Sequence, residues 1–153
     1  MKKFGLIGYP LGHSMSAKHF SAKFANENID ARYDLYPLEN IEQFASLKSS
    51  VPDLCGLNVT LPYKEGIIPY LDELDQTAAR VGAVNVIKFI RHSGATILRG
   101  YNTDALGFEQ SLVPLLKSYH RKALILGTGG AAKAVKYALE KRKIETCYVS
   151  RTK

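Results

Sequence analysis

Cysteine is scarce: Cys55 and Cys147 are the only two in 153 residues, far apart and in neither metal-ligand nor redox spacing. No metal site and no disulfide scaffold are expected, and the usage fits a reducing compartment. Long apolar runs are missing too, since no stretch approaches the ~20 residues that span a bilayer. Lys2 and Lys3 precede only a stub of apolar sequence before Pro10, a poor secretory leader, so the expectation is a cytoplasmic chain without a membrane partner. Internal repeats and low-complexity tracts are absent. Acidic residues run short in one region only. Residues 114–153 hold 10 Lys and Arg against 2 Asp and Glu, whereas residues 1–113 hold 11 against 12, so the net +7 sits entirely in the tail. A uniformly basic nucleic-acid binder is a poor description. The tail also lacks aromatics interleaved with its cations as stacking platforms, so no nucleic-acid partner is expected.

What is present suits a globular α/β chain, with 46% hydrophobic and 23% charged residues. Lys3 to Gly8 reads as a strand ending in glycine. Ser14 is a plausible cap for a helix carrying Ala17, Phe20 and Phe24 at helical spacing. Ala31 to Leu38 reads as a strand with Tyr33 and Leu35 on one face, and Asn40 to Leu47 as a helix carrying Ile41, Phe44 and Ala45. Leu54 to Val59 is a third strand, broken at Thr60-Leu61-Pro62, with short helical stretches following to about Arg80. Ala83 to Ile90 pairs with Ile97 and Leu98 through a hairpin at His92-Ser93-Gly94. Thr103 to about Tyr119 reads as a helix interrupted near Pro114. Lys122 to Leu126 and Glu145 to Ser150 are strands flanking a helix, with Ala132, Val135 and Leu139 on one face and Lys133, Lys136 and Glu140 facing away.

Several motifs carry chemistry. Gly127-x-Gly129-x-x-Ala132 lies between a strand and a helix, where Gly127 permits a tight turn, Gly129 lets backbone approach a pyrophosphate and Ala132 permits close packing. The helix N-terminus adds free N–H donors for an anion. At the end of the next strand, where an NAD site places an acid, stand Ser150, Arg151 and Thr152; Arg151 suits a 2′-phosphate, favouring NADP, or is a solvated surface arginine. Ser14 and Ser16 offer two hydroxyls at a helix start, for a carboxylate or for capping alone. Asn58, Thr60 and Lys64 end a strand and its turn, where open α/β sheets bind ligands. Asn85 reads as a hairpin residue or a ligand contact, and Asp104 as a first-turn acid or a catalytic one.

In this order the blocks resemble the shikimate dehydrogenase family: Ser14-x-Ser16, Asn58-Val59-Thr60-x-Pro62-x-Lys64, Gly82-Ala83-Val84-Asn85, Asn102-Thr103-Asp104 and Gly127-Thr128-Gly129-Gly130-Ala131. The resemblance covers the whole chain. It implies NADPH-dependent reduction of 3-dehydroshikimate to shikimate, in aromatic amino-acid biosynthesis, without a metal. It also implies an α/β architecture: a three-layer substrate domain with a mixed, mostly parallel sheet over residues 1–102. A linking helix and the first β-α-β unit of a Rossmann-like NADP domain would occupy residues 103–153. By motif position Lys64 and Asp104 form the catalytic pair. Ser14 and Ser16 would bind the substrate carboxylate, and Asn58, Thr60, Asn85 and Asn102 the rest of it. Gly127, Thr128, Gly129, Gly130, Ala131 and Ala132 would carry the pyrophosphate, with Ser150, Arg151 and Thr152 at the 2′-phosphate.

Mild departures are Ala17, Val86 and Ser150, where the family commonly has proline, threonine and asparagine. The larger departure is length. A complete Rossmann-like domain has about six strands, and one β-α-β unit is expected here. The expectation is therefore a truncated gene product, a fragment or a shortened chain, with weak NADP binding and little turnover. The alternatives are a shikimate-type ligand-binding module without cofactor turnover, and a quinate/shikimate dehydrogenase. An unfinished parallel sheet would also expose an edge through which a homodimer could form.

Overall fold

The computed structural model describes residues 1–150. β1 (Lys2–Gly8) pairs in parallel with β2 (Ala31–Pro37) on one side and with β3 (Leu54–Val59) on the other. β5 (Val86–His92) runs antiparallel to β3, and β6 (Ala95–Tyr101) antiparallel to β5. The two-residue β4 (Glu73–Leu74) lies parallel to β6 and closes the order β2-β1-β3-β5-β6-β4. β1 is apolar on both faces because it is covered on both, as parallel strands usually are.

Alternation along the strands separates the two faces. On one, Leu6, Leu11 and Tyr33 pack with Phe4, Phe20, Phe24 and Leu35 beneath α1 (Ser16–Asn26). On the other, Ile7, Leu57, Val59 and Ile87 join Phe44 and Leu47 of α2 (Gln43–Ser50) in the main core. Phe44, Ile7 and Leu54 are fully buried, each worth about 1.5–3 kcal/mol of transfer free energy. α2 lies later than Asn40–Leu47, and its inward residues are Phe44 and Leu47; Ala45 is exposed.

Past β3 the chain makes turns and a single 3-10 turn, Ile68–Tyr70, then α3 (Gln76–Val81). Asp75 caps α3 by accepting the N–H groups of Thr77 and Ala78. α4 (Asp104–Leu112) stops before Pro114 and gives way to a 3-10 turn, shorter than the helix read to Tyr119. A ring at position 114 removes an N–H that a continuing helix would need. β7 (Lys122–Leu126), α5 (Gly130–Lys141) and β8 (Glu145–Val149) follow, the two strands forming a separate parallel pair. Ile125, Leu139 and Ile144 hold α5 to this pair, joined by Phe108 and Leu112 of α4. No helix among the described residues is long and apolar enough to cross a membrane.

Candidate active site

The strand directions bring the singled-out polar residues to one edge of the larger sheet. β1 and β3 end there, β5 begins there and β6 ends there, and the register aligns Leu6 with Asn58, Asn58 with Val86, and Val86 with Tyr101. Segments 9–16, 60–64, 83–85 and 102–104 therefore meet at the same level.

Lys64 is fixed through its backbone before its side chain is considered. The Thr60 N–H donates to Ile7 O at 2.9 Å, Tyr63 N–H to Thr60 O at 3.0 Å, and Val84 N–H to Lys64 O at 2.7 Å. Tyr63, buried beneath this turn, donates its hydroxyl to Leu38 O at 2.6 Å, and burial pushes its phenol above the ordinary value. The Leu61–Pro62 peptide bond is cis.

From that turn Lys64 Nζ reaches Asp104 Oδ2 at 2.7 Å, the two side chains being 15% and 33% exposed. Asp104 opens α4, where the unpaired N–H groups of the first turn favour a carboxylate. Its other oxygen, Oδ1, accepts Asn85 Nδ2 at 2.7 Å. Asn85 Oδ1 in turn accepts the Thr103 N–H at 2.8 Å, so amide orientation, carboxylate and ammonium form one chain of contacts. Asn102 is buried and serves the frame: Nδ2 donates to Ala83 O at 2.9 Å, and Oδ1 accepts the Ala105 N–H at 3.1 Å.

A second cluster lies under α1. Ser14 Oγ accepts the Ser16 N–H at 3.2 Å, a capping contact, although the residue in the cap position is Met15, which makes none. Tyr33 OH donates to Asn58 Oδ1 at 2.8 Å. Burial pushes the Tyr33 phenol up to about 12, opposed by a hydrogen bond with Ser16. Its ring stacks on Phe20 with centroids 4.5 Å apart. Ser16, Tyr33 and Asn58 thus form a group that leaves the Asn58 amide nitrogen as a donor. A groove of about 500 Å³, lined by Phe4, Phe20, Phe24, Gly56, Val86 and Lys88 among others, opens beside it on the α1 face and reaches this cluster through Tyr33 and Asn58.

The glycine turn joins β7 to α5. Gly127 has φ +104°, a conformation that favours glycine, and donates its N–H to Val149 O at 2.8 Å. Gly129 caps α5 in extended conformation without a side-chain cap bond, and no atom would crowd a Cβ on Gly127 or Gly129. Thr128 and Ala131 are exposed. Uncapped N–H groups, open glycines and no acid in the first turn of α5 fit a phosphate. Ala132 packs with Ile125 and Leu139. Ser150 is exposed, while Arg151 and Thr152 lie outside the described residues.

Sequence reading missed Tyr33 and Thr103 as partners, together with three ion pairs. Lys133 does not simply face away, because its ammonium pairs with Glu65, the residue after Lys64. Glu109 on α4 is 9% exposed at its side chain and accepts Lys141 Nζ at 2.9 Å and Arg142 Nε at 2.7 Å. Those hydrogen bonds, Lys141 first, hold its carboxyl below the usual range against burial. The only available signal was a run of cations with few acids nearby in sequence, and their partners lie 32 to 68 residues away.

A mixed α/β sheet with a lysine–carboxylate pair at its strand ends, beside a glycine turn that opens a helix, defines a two-part α/β architecture. The model of the shikimate dehydrogenase substrate binding domain matches residues 6–87, and the chain belongs to that family. It is 40% identical over 157 residues to the shikimate dehydrogenase (NADP(+)) of Shouchella clausii, covering 99% of this chain and 55% of that protein. It is 45% identical over 138 residues to the one from Halothermothrix orenii, covering 86% of this chain and 45% of the relative. Among solved structures, shikimate dehydrogenase 1 from Peptoclostridium difficile superposes with TM-score 0.87 at 35% identity, over 100% of this chain and 58% of that one. A shikimate 5-dehydrogenase from Thermus thermophilus, in complex with NADP(H) and shikimate, gives TM-score 0.83 at 32% identity, over 99% and 57%. The chain thus spans about half the length of the relatives it matches.

Proposed function

We propose that this chain carries the shikimate-binding side and the nucleotide turn of an NADP-dependent shikimate dehydrogenase, interconverting 3-dehydroshikimate and shikimate. The observation that carries the reading is the 2.7 Å contact between Lys64 Nζ and Asp104 Oδ2, set at the strand ends beside Asn85. Residues 127–132 would hold NADPH, which would supply the hydride when bound. The chain's own residues handle the rest. As the C3 carbonyl is reduced, negative charge grows on its oxygen; the Lys64 ammonium stabilises that charge and delivers the proton. Asp104, held by Asn85, keeps the ammonium aimed. Ser14 and Ser16 receive the substrate carboxylate with hydroxyl and backbone donors at the start of α1. Asn58, oriented by Tyr33, donates to a substrate oxygen alongside Thr60, whereas Asn85, whose amide hydrogens go to Asp104 and Thr103, and the buried Asn102 hold the frame around the substrate instead of donating to it. Arg151 with Ser150 and Thr152 would take the 2′-phosphate.

Shikimate and NADPH titrated separately, with an NADPH-consumption assay on 3-dehydroshikimate, test this. Shikimate binding is expected, and in an active form of the enzyme Lys64→Ala is expected to lower turnover by about 10²–10⁴-fold, the usual contribution of a positioned acid. Near-normal turnover in that variant would remove Lys64 as donor. Shikimate binding with neither NADPH binding nor turnover would favour a ligand-binding module, and a substrate panel separates quinate from shikimate preference.

A further inference from the structure

The first residue of α5, Gly130, is buried, unlike Gly129 before it. A Cβ on Gly130 would lie 2.8 Å from Lys64 Cβ and 3.1 Å from Ala83 Cβ, whereas one on Gly129 or Gly127 would meet open space. A glycine kept free for phosphate approach faces the open side of its turn; the missing side chain of Gly130 faces the lysine instead. Rotating the Lys64 side chain cannot relieve the overlap, because Cβ moves only with the backbone, and that backbone is held by the 2.7 Å bond from Val84 N–H. One turn further along α5, Ala134 packs against Val81, Ala83 and Ala105, all small or medium residues that let the helix lie flush. Ala105 directly follows Asp104, so the same patch supports both members of the pair. Lys133 closes the contact by pairing with Glu65.

We propose that Gly130 is a positioning residue for Lys64: α5, seated on the turn after β3 through Gly130 and the Lys133–Glu65 ion pair, sets where the lysine meets Asp104. Its catalytic meaning rests on Lys64 being the proton donor. The placement itself does not, and it is measured on the free protein.

The test is competitive acylation with trace acetic anhydride, reading Lys64 against exposed Lys48 by peptide mass spectrometry, on the wild type, G130A, G129A and E65Q. In the wild type Lys64 is protected by its pairing and burial. G130A is expected to raise Lys64 acylation several-fold, E65Q by a smaller factor, and G129A not at all. In turnover, G130A lowers kcat with little change in shikimate KM, while G129A weakens nucleotide affinity. A folded G130A with wild-type protection of Lys64 overturns the proposal, as does an equal rise in G129A. If G130A fails to fold, E65Q decides by the same readout, and unchanged protection there overturns it. Lack of shikimate or NADPH binding by the wild type would count against the functional reading and leave the acylation result standing.

Discussion

The six-stranded sheet is covered on both faces, by α1 on one and by α2 with its neighbouring turns on the other. Among the described residues the pair β7–β8 is covered on one face only, by α5 and part of α4. Its other face shows Leu124 at 73%, Leu126 at 81% and Val149 at 45% exposure. Parallel strands normally bury both faces. The smaller unit therefore draws its order from one helix layer, joined internally by Phe108 and Glu109 of α4 and tied to the larger unit through Ala134 and the Lys133–Glu65 pair. The Lys64–Asp104 pair joins the turn after β3 of the larger unit to the first residue of α4, and α5 of the smaller unit lies against it.

The largest expected effect separates the two cores. Phe44→Ala should cost about 3–5 kcal/mol and unfold the larger sheet, whereas Ile125→Ala should cost about 2–3 kcal/mol. Hydrogen exchange should show the second loss confined to the smaller unit, because it opens locally first. Equal, global losses in both variants would merge the two regions into one cooperative block.

Next comes the clamp between α4 and α5. Glu109→Gln should lower stability by about 1–3 kcal/mol near neutral pH, since it discharges the acceptor of two charged donors. The folded pKa of Glu109 lies below its unfolded value, so its contribution is present above the ordinary glutamate range and is lost as pH falls through the folded value. Urea melts of the two proteins should thus converge in acid. A gap that persists or widens there would show that the carboxylate charge is not what the clamp uses.

The smallest effect belongs to the bare face. Leu124→Lys with Leu126→Lys should change stability by no more than about 0.5 kcal/mol per site in denaturant melts. Any self-association seen by sedimentation should weaken, since that face and its edge are where copies would meet.

Much of the architecture was readable because short-range physics wrote it. β1, β3 and the hairpin at residues 92–94 follow from apolar runs bounded by turn formers, and Pro114 marks the neighbourhood where α4 ends. What escaped was set at long range. β4 is two residues long and exists only because β6 offers an edge. The inward turn of α2 depends on which side the core lies, which Ala45 and Leu47 alone do not say. At the site, Lys64, Asp104 and Asn85 were legible as motif residues, and the structure brings them within hydrogen-bond distance. Tyr33 was legible only as a strand aromatic, because its hydroxyl partner lies 25 residues away. Gly130 looked like one more glycine of a phosphate turn; its closest neighbour is known only once two units are packed.

Glu109 grips the C-terminal end of α5, through Lys141 and Arg142, while Glu65 holds Lys133 at the other end. The first grip is buried at its carboxylate and the second is half-exposed, so salt at physiological strength, with a screening length of about 8 Å, weakens the second sooner. α5, about 18 Å long, is therefore held at its two ends by ties of different salt sensitivity, and added salt is expected to loosen the Lys133–Glu65 tie beside Gly130 while the Glu109 grip and the buried Ala134 contact stay in place.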